Sequence, residues 1–316
     1  MTFSARRTLS SDNVSLYYRD YAAKCPSVDV GIPVLCLPGL TRSSKDFEVL
    51  AEQLSERHRV LCPDLRGRGE SGYAADPMTY IPLQYVKDIG VVLADADVKR
   101  VAIVGTSLGG ILAMTMAGLM RHQVAGVVLN DIGPDIDPKG VARIQGYVGK
   151  GGPVATWEEA INAAKEINAA AFPDYTPAQW KTMAHALYVE KDGLIAPNYD
   201  PNIAKPFAAG ASTPSPSMWP FYESLIGLPL LIIRGETSDI LARKTADDMM
   251  QRHGASDYVE VPNIGHAPAL TEPGIAAHIA RFMGNIPAQQ GVIANMTSRL
   301  RSVKELTRIT KALKHS

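Results

Sequence analysis

Gly105-Thr106-Ser107-Leu108-Gly109 is the segment that most limits what this chain can fold into. Before it runs Arg100-Val101-Ala102-Ile103-Val104, a β-branched stretch that reads as a buried strand. After it runs Gly110-Ile111-Leu112-Ala113-Met114-Thr115-Met116-Ala117, rich in helix formers. A strand, then G-x-S-x-G, then a helix describes a nucleophile elbow, a tight turn that holds the Ser107 oxygen clear of the backbone. The glycines around such a turn leave space where a Cβ would strike a neighbouring strand or helix. A phosphate cradle would need Lys-Ser or Lys-Thr after the glycines, and neither is there.

A serine hydroxyl is a weak nucleophile at neutral pH and needs a base held by a third group. Of the seven histidines, His266 lies in the turn-rich stretch Val261-Pro262-Asn263-Ile264-Gly265-His266-Ala267-Pro268, just after the short strand Tyr258 to Val261. A histidine on a loop after the last strand can reach over the elbow, so His266 is the expected base. His58, His122, His185, His253, His278 and His315 sit on helical or loop patterns and read as surface or capping residues.

The orienting acid is expected between Ser107 and His266 in the chain. Leu228-Pro229-Leu230-Leu231-Ile232-Ile233-Arg234 is a continuous apolar run suited to a strand buried on both faces. Gly235-Glu236-Thr237-Ser238-Asp239-Ile240 follows it directly. Asp239 therefore stands at the carboxyl end of a strand, where catalysis gathers in open α/β sheets, and is the expected acid. Asp131, after the strand Val124 to Leu129, is the alternative, and Glu236 is a nearer rival. Oxyanion donors are expected from two backbone amides. One is Leu40, after the strand Gly31 to Leu37 and the turn Pro38-Gly39; the other is Leu108, at the helix N-terminus behind the serine.

These pieces, with Asp64-Leu65-Arg66-Gly67-Arg68-Gly69-Glu70-Ser71, resemble the α/β-hydrolase family, in the group of carboxylesterases, enol-lactonases and carbon–carbon bond hydrolases. The likeness covers residues 30 to 285. It implies an α/β fold with a mostly parallel central sheet flanked by helices and a helical cap inserted between core strands 6 and 7. It also implies an acyl-enzyme on Ser107, formed without metal or organic cofactor from a small or medium ester or lactone. A carbon–carbon hydrolase of a ring-cleavage product, or a ligand-binding receptor with residual activity, is the alternative. Three departures narrow the group. Pro38-Gly39 stands where many members have His-Gly. Ser107 replaces the aspartate of haloalkane dehalogenases and epoxide hydrolases. Ala267, not tryptophan, follows His266.

Strand and helix alternate through residues 1–132 and again through 228–286, the two expected parts of the core. Residues 133–227 carry helical patterns only (Val141 to Gly149, Trp157 to Ala170, Pro177 to Glu190, Phe221 to Ile226) and form the expected cap. The arginines of the Arg66-Gly67-Arg68-Gly69 loop read as structural, with Asp64 and the glycines shaping that loop. Residues 287–316 read as an amphipathic basic helix, with Ile293, Met296, Leu300, Val303, Leu306, Ile309 and Leu313 at three- and four-residue steps; packing on the parent domain, pairing subunits into a homo-oligomer and lying on an anionic surface are its three competing readings.

Thirty-two basic and thirty-two acidic residues balance, which argues against nucleic acid as a partner. The three cysteines have no metal spacing and read as free thiols of a reducing compartment. Residues 1–20 contain no apolar signal-peptide core, and no run is long enough to span a membrane, so a cytoplasmic protein is expected.

Overall fold

The computed structural model describes residues 3–25, 31–210 and 217–287. The basic stretch expected to form a C-terminal helix lies outside them, apart from Pro287.

The β-branched runs become short strands, and most connections between them are helices. The strands in chain order are β1 (Ser4–Leu9), β2 (Ser15–Tyr21), β3 (Val34–Leu37), β4 (Val60–Pro63), β5 (Val101–Thr106), β6 (Val124–Asn130), β7 (Tyr188–Lys191), β8 (Leu194–Pro197), β9 (Leu230–Gly235) and β10 (Asp257–Val261). Eight of them form one sheet in the order β1-β2-β4-β3-β5-β6-β9-β10, parallel from β4 to β10. β1 and β2 add an antiparallel edge. The segment Val14 to Asp20, which alternates like an edge strand, thus lies one place inside the edge.

The helices are α1 (Glu48–Leu54), α2 (Pro82–Asp95), α3 (Leu108–Met120), α4 (Pro138–Tyr147), α5 (Trp157–Asn168), α6 (Pro177–Leu187), α7 (Ala204–Gly210), α8 (Trp219–Glu223), α9 (Arg243–His253) and α10 (Ile275–Gly284). α1 and α10 cover one face of the sheet through Leu50, Leu54, Ile279 and Met283. α2, α3 and α9 cover the other through Ile89, Leu112, Met116 and Met249. β3, β4 and β6 are buried at every position, which explains why their sequences are apolar except for Asn130 at the end of β6. Cys36 and Cys62 are buried in this sheet as free thiols. Among the described residues no helix is long and apolar enough to cross a membrane.

Between β6 and β9, the sixth and seventh strands of the sheet in chain order, stand α4 to α8 together with a hairpin of β7 and β8. The sequence reading carried a helix through to Glu190; α6 instead stops at Leu187. Asp192 and Gly193 take φ of 54° and 78°, the left-handed pair of a two-residue hairpin turn. Asp-Gly between Tyr188-Val189-Glu190-Lys191 and Leu194-Ile195-Ala196-Pro197 was the signal for that hairpin.

Two histidines read as surface or capping residues are buried instead. His58 Nδ1 lies 2.9 Å from the Ile32 carbonyl oxygen. His253 Nε2 lies 3.2 and 3.1 Å from the Leu225 and Leu228 carbonyl oxygens, while its Nδ1 is buried without a partner. Burial disfavours the imidazolium and lowers the pKa of both rings from the ordinary 6.5. The unfolded chain therefore binds protons first as pH falls, and stability drops as pH passes downward through the unfolded value. We expect a lower Tm at pH 5 than at pH 7.5, with a smaller loss in His253→Gln, read by calorimetry. The same pH slope in both proteins would remove His253 from this account.

Candidate active site

Ser107 sits between the last residue of β5 and the first of α3 with φ 52° and ψ −116°, a conformation strained for a side-chain-bearing residue. What holds it is the close crossing of strand and helix. A Cβ on Gly105 would overlap the backbone of Gly109 and Gly110, and one on Gly109 would overlap the Leu37 carbonyl of β3. The Ser107 amide donates to the Asn130 carbonyl at 3.0 Å, which fastens the elbow to the end of β6. The expected strand, turn and helix therefore form, and the glycines serve the crossing.

His266 faces this serine. Its Nε2 lies 2.9 Å from Ser107 Oγ, and its Nδ1 lies 2.8 Å from Asp131 Oδ2. Asp131 is wholly buried, and the His266 side chain is 8% exposed, so this chain of groups is largely shielded from water. Asp131 takes φ 57° directly after β6. Its Oδ1 accepts from the Gly235 amide at 2.9 Å, and its Oδ2 also accepts from Ser238 Oγ at 2.7 Å. The imidazole loop is fixed from several sides. Asn130 Nδ2 donates to the Pro268 carbonyl at 2.8 Å, Glu236 Oε2 accepts from the Asn263 amide at 2.7 Å, and the Gly265 amide donates to Ala171 of the cap at 2.7 Å.

The expected pairing of His266 with Asp239 does not form. Asp239 lies four residues beyond the end of β9, and the turn carries its carboxylate toward α4. There Arg143 grips it, Nε to Oδ2 at 2.5 Å and Nη2 to Oδ1 at 2.8 Å. That guanidinium holds the Asp239 carboxyl below the usual carboxylate range. Asp131, the alternative, lies on the strand next to the elbow, because β6 pairs with β5. Strand adjacency decides the geometry, and chain order does not reveal which strand end is adjacent. Glu236, the other rival, anchors the histidine loop without touching the imidazole.

Of the two expected oxyanion donors, Leu108 follows Ser107 directly, and Leu40 follows Gly39, which packs against Ser107. Gly39 approaches so closely that a Cβ there would stand 3.8 Å from Ser107 Cβ. The Gly39 carbonyl accepts from the Arg42 amide at 3.2 Å, so the Leu40 N–H of the same peptide points the opposite way. Leu108 opens α3, where the first amides have no partner within the helix. A serine oxygen, an imidazole held by a buried carboxylate and two such amides can together perform acyl transfer.

A family model described as the alpha/beta hydrolase family matches residues 34–278. The chain is an alpha/beta hydrolase. It is similar to the 3-hydroxybutyrate-oligomer hydrolase of Cupriavidus necator, 38% identical over 79% of this chain and 87% of that protein. It is also similar to the 2-(acetamidomethylene)succinate hydrolase of Mesorhizobium japonicum, 26% identical over 77% of this chain and 84% of that protein. A crystal structure of an alpha/beta hydrolase from Novosphingobium aromaticivorans superposes with a TM-score of 0.83 at 45% identity, over 89% of this chain and 98% of that one. This alpha/beta hydrolase is thus an enzyme of the hydrolase class.

Sequence reasoning passed over Asn130 and Ser238, which hold the imidazole loop and the Asp131 carboxylate. Their roles depend on contacts between residues 138 and 107 positions apart in the chain, which no local pattern announces. The two aspartates separate cleanly by mutation. Asp131→Asn removes the acceptor that keeps His266 in its working tautomer and should lower kcat/KM by roughly three to four orders of magnitude. Asp239→Asn should keep activity of the wild-type order. Ester turnover by the two purified variants decides it, and the reverse outcome would restore Asp239 as the acid.

Proposed function

We propose that this alpha/beta hydrolase cleaves a small or medium carboxylic ester through an acyl-enzyme on Ser107, with His266 as base and Asp131 as orienting acid. The observation that carries the reading is the continuous hydrogen-bonded chain from Ser107 Oγ through the imidazole to Asp131. His266 Nε2 takes the hydroxyl proton as Ser107 Oγ bonds to the ester carbonyl carbon. Asp131 accepts a hydrogen bond from Nδ1–H, stays ionised and stabilises the imidazolium. The amides of Leu40 and Leu108 meet the oxygen that turns negative, and one such donor contributes about 2.7 to 4 kcal/mol to lowering the barrier. As the tetrahedral carbon collapses, His266 returns the proton to the departing alkoxide, which leaves as the alcohol. Water then attacks the acyl carbon, gives a proton to His266, and the acid departs as Ser107 regains its hydrogen.

The named activity of the Cupriavidus necator relative makes esters of short 3-hydroxy acids the substrate class to test first. Such an oligomer offers an ester carbonyl for Ser107 to attack and a hydroxy acid as leaving group.

The test is turnover of p-nitrophenyl esters from acetate to dodecanoate, and of linear 3-hydroxybutyrate dimers and trimers, by wild type and Ser107→Ala. Turnover lost by at least a thousandfold in the variant is expected. So is an acyl adduct on Ser107 in the intact-protein mass of wild type quenched early. Undiminished turnover in Ser107→Ala would overturn the proposal. Cleavage of the p-nitrophenyl esters but not the 3-hydroxybutyrate oligomers would keep the mechanism and reject the substrate class.

A further inference from the structure

Arg66 and Arg68 belong to one loop after β4 and are equally buried, each at 0% exposure, yet their surroundings differ. Arg66 is held by two carboxylates, Asp88 at 2.6 and 2.7 Å and Asp12 at 2.7 and 2.8 Å. It closes the loop onto α2 and the β1–β2 turn. Arg68 forms no ion pair among the described residues. Its Nη1 donates to the Arg66 carbonyl at 2.6 Å and to the Tyr85 hydroxyl at 2.9 Å, and its Nη2 is buried without a partner. The rings of Tyr85 and Tyr80 flank it, with centroids 4.8 and 5.6 Å from its Cζ. Its remaining nitrogen, Nε, donates 2.8 Å to the carbonyl oxygen of Leu40.

An unpaired buried guanidinium is costly, and an apolar side chain of similar volume would fill the same space more cheaply. What an apolar side chain could not do is hold the Leu40 carbonyl. Both carbonyls that bracket Leu40 are tied: the Gly39 carbonyl by the Arg42 amide, and the Leu40 carbonyl by Arg68. With its two flanking peptides fixed, Leu40 has little freedom to rotate, and its amide stays directed away from the Gly39 carbonyl and the Arg42 amide bound to it. The Arg68 loop is itself clamped to the cap. Gly69 donates to the Asn198 carbonyl at 3.0 Å, and the Asp200 amide donates to the Gly67 carbonyl at 2.7 Å.

We propose that Arg68 is a positioning residue for the oxyanion loop: from inside the core it locks Leu40 so that the Leu40 amide meets the developing oxyanion. This rests on the Ser107 mechanism above. It also explains why a cation without a counter-charge stands in the core, next to a second arginine that is fully neutralised.

The test uses Arg68→Met, which keeps bulk and loses the donors, and Arg68→Lys, which keeps the charge and a single donor nitrogen. Wild type is first labelled with a fluorophosphonate, and the labelled fraction counts competent sites in every protein. Per labelled site, Arg68→Met should lower kcat by ten- to a hundredfold with KM changed less than threefold. Affinity for an alkylboronic acid, whose tetrahedral adduct places an oxygen in the oxyanion hole, should fall by the same factor as kcat. Arg68→Lys should recover part of both. A residue that merely stabilises the fold would lower Tm and the labelled fraction while leaving kcat per site and boronate affinity within twofold of wild type, and that result overturns the proposal. If Arg68→Met does not fold, Arg68→Lys decides alone by the same two readouts. Failure of both to fold also overturns the proposal, because the guanidinium would then be a folding requirement. Absence of labelling in wild type would instead strike the Ser107 mechanism, and the positioning role with it.

Discussion

One buried carboxylate gathers the ends of three strands. Asp131 follows β6 directly, accepts from the Gly235 amide at the end of β9, and binds the imidazole carried on the loop after β10. A charge taken this far from water must find partners or be neutralised, and here a backbone amide, a hydroxyl and an imidazole supply them. The left-handed backbone at Asp131 and at Ser107 is the strain that aims these two side chains at the same imidazole. Both strained turns are fastened to neighbouring strands. Asp131 donates its amide to the Ile233 carbonyl, and Ser107 donates to the Asn130 carbonyl.

The segment between β6 and β9 takes part in holding the site. Ala171 accepts from Gly265, beside the imidazole, and Phe172, Trp180 and Met183 cluster beneath the same loop with Ile264. Arg143 on α4 binds Asp239 and keeps that second carboxylate pointed at the cap, away from the imidazole. A site with two aspartates near one histidine thus keeps their roles apart, because only one of them is left without a cation. The hydrogen bonds that the Arg68 loop makes to Asn198 and Asp200 extend the same continuity from the cap to the oxyanion turn.

Much of this was legible in the residues. The elbow was readable because its strand, its glycines and its helix are contiguous, and the demands of a tight crossing fall on neighbours in the chain. The histidine was readable because it follows the last strand in a turn-rich stretch. The hairpin of β7 and β8 could have been read from Asp192-Gly193, but the helical pattern of Pro177 to Leu187 ran straight into Tyr188-Val189-Glu190 and hid the change of period. The burial of His58 and His253 could not be read, because each packs against carbonyls far away in the chain.

The sequence by itself determined the fold class and where the serine turn and the histidine loop stand in it, because each is specified within a dozen consecutive residues by local turn chemistry and hydrophobic period. Tertiary structure alone decided which aspartate meets the imidazole. Asp131 and Asp239 both stand after apolar strands, and both lie between the serine and the histidine in the chain. Their difference is that β6 lies against the elbow strand, and that Arg143 arrives from the cap, 96 residues away in the chain, to claim the other carboxylate.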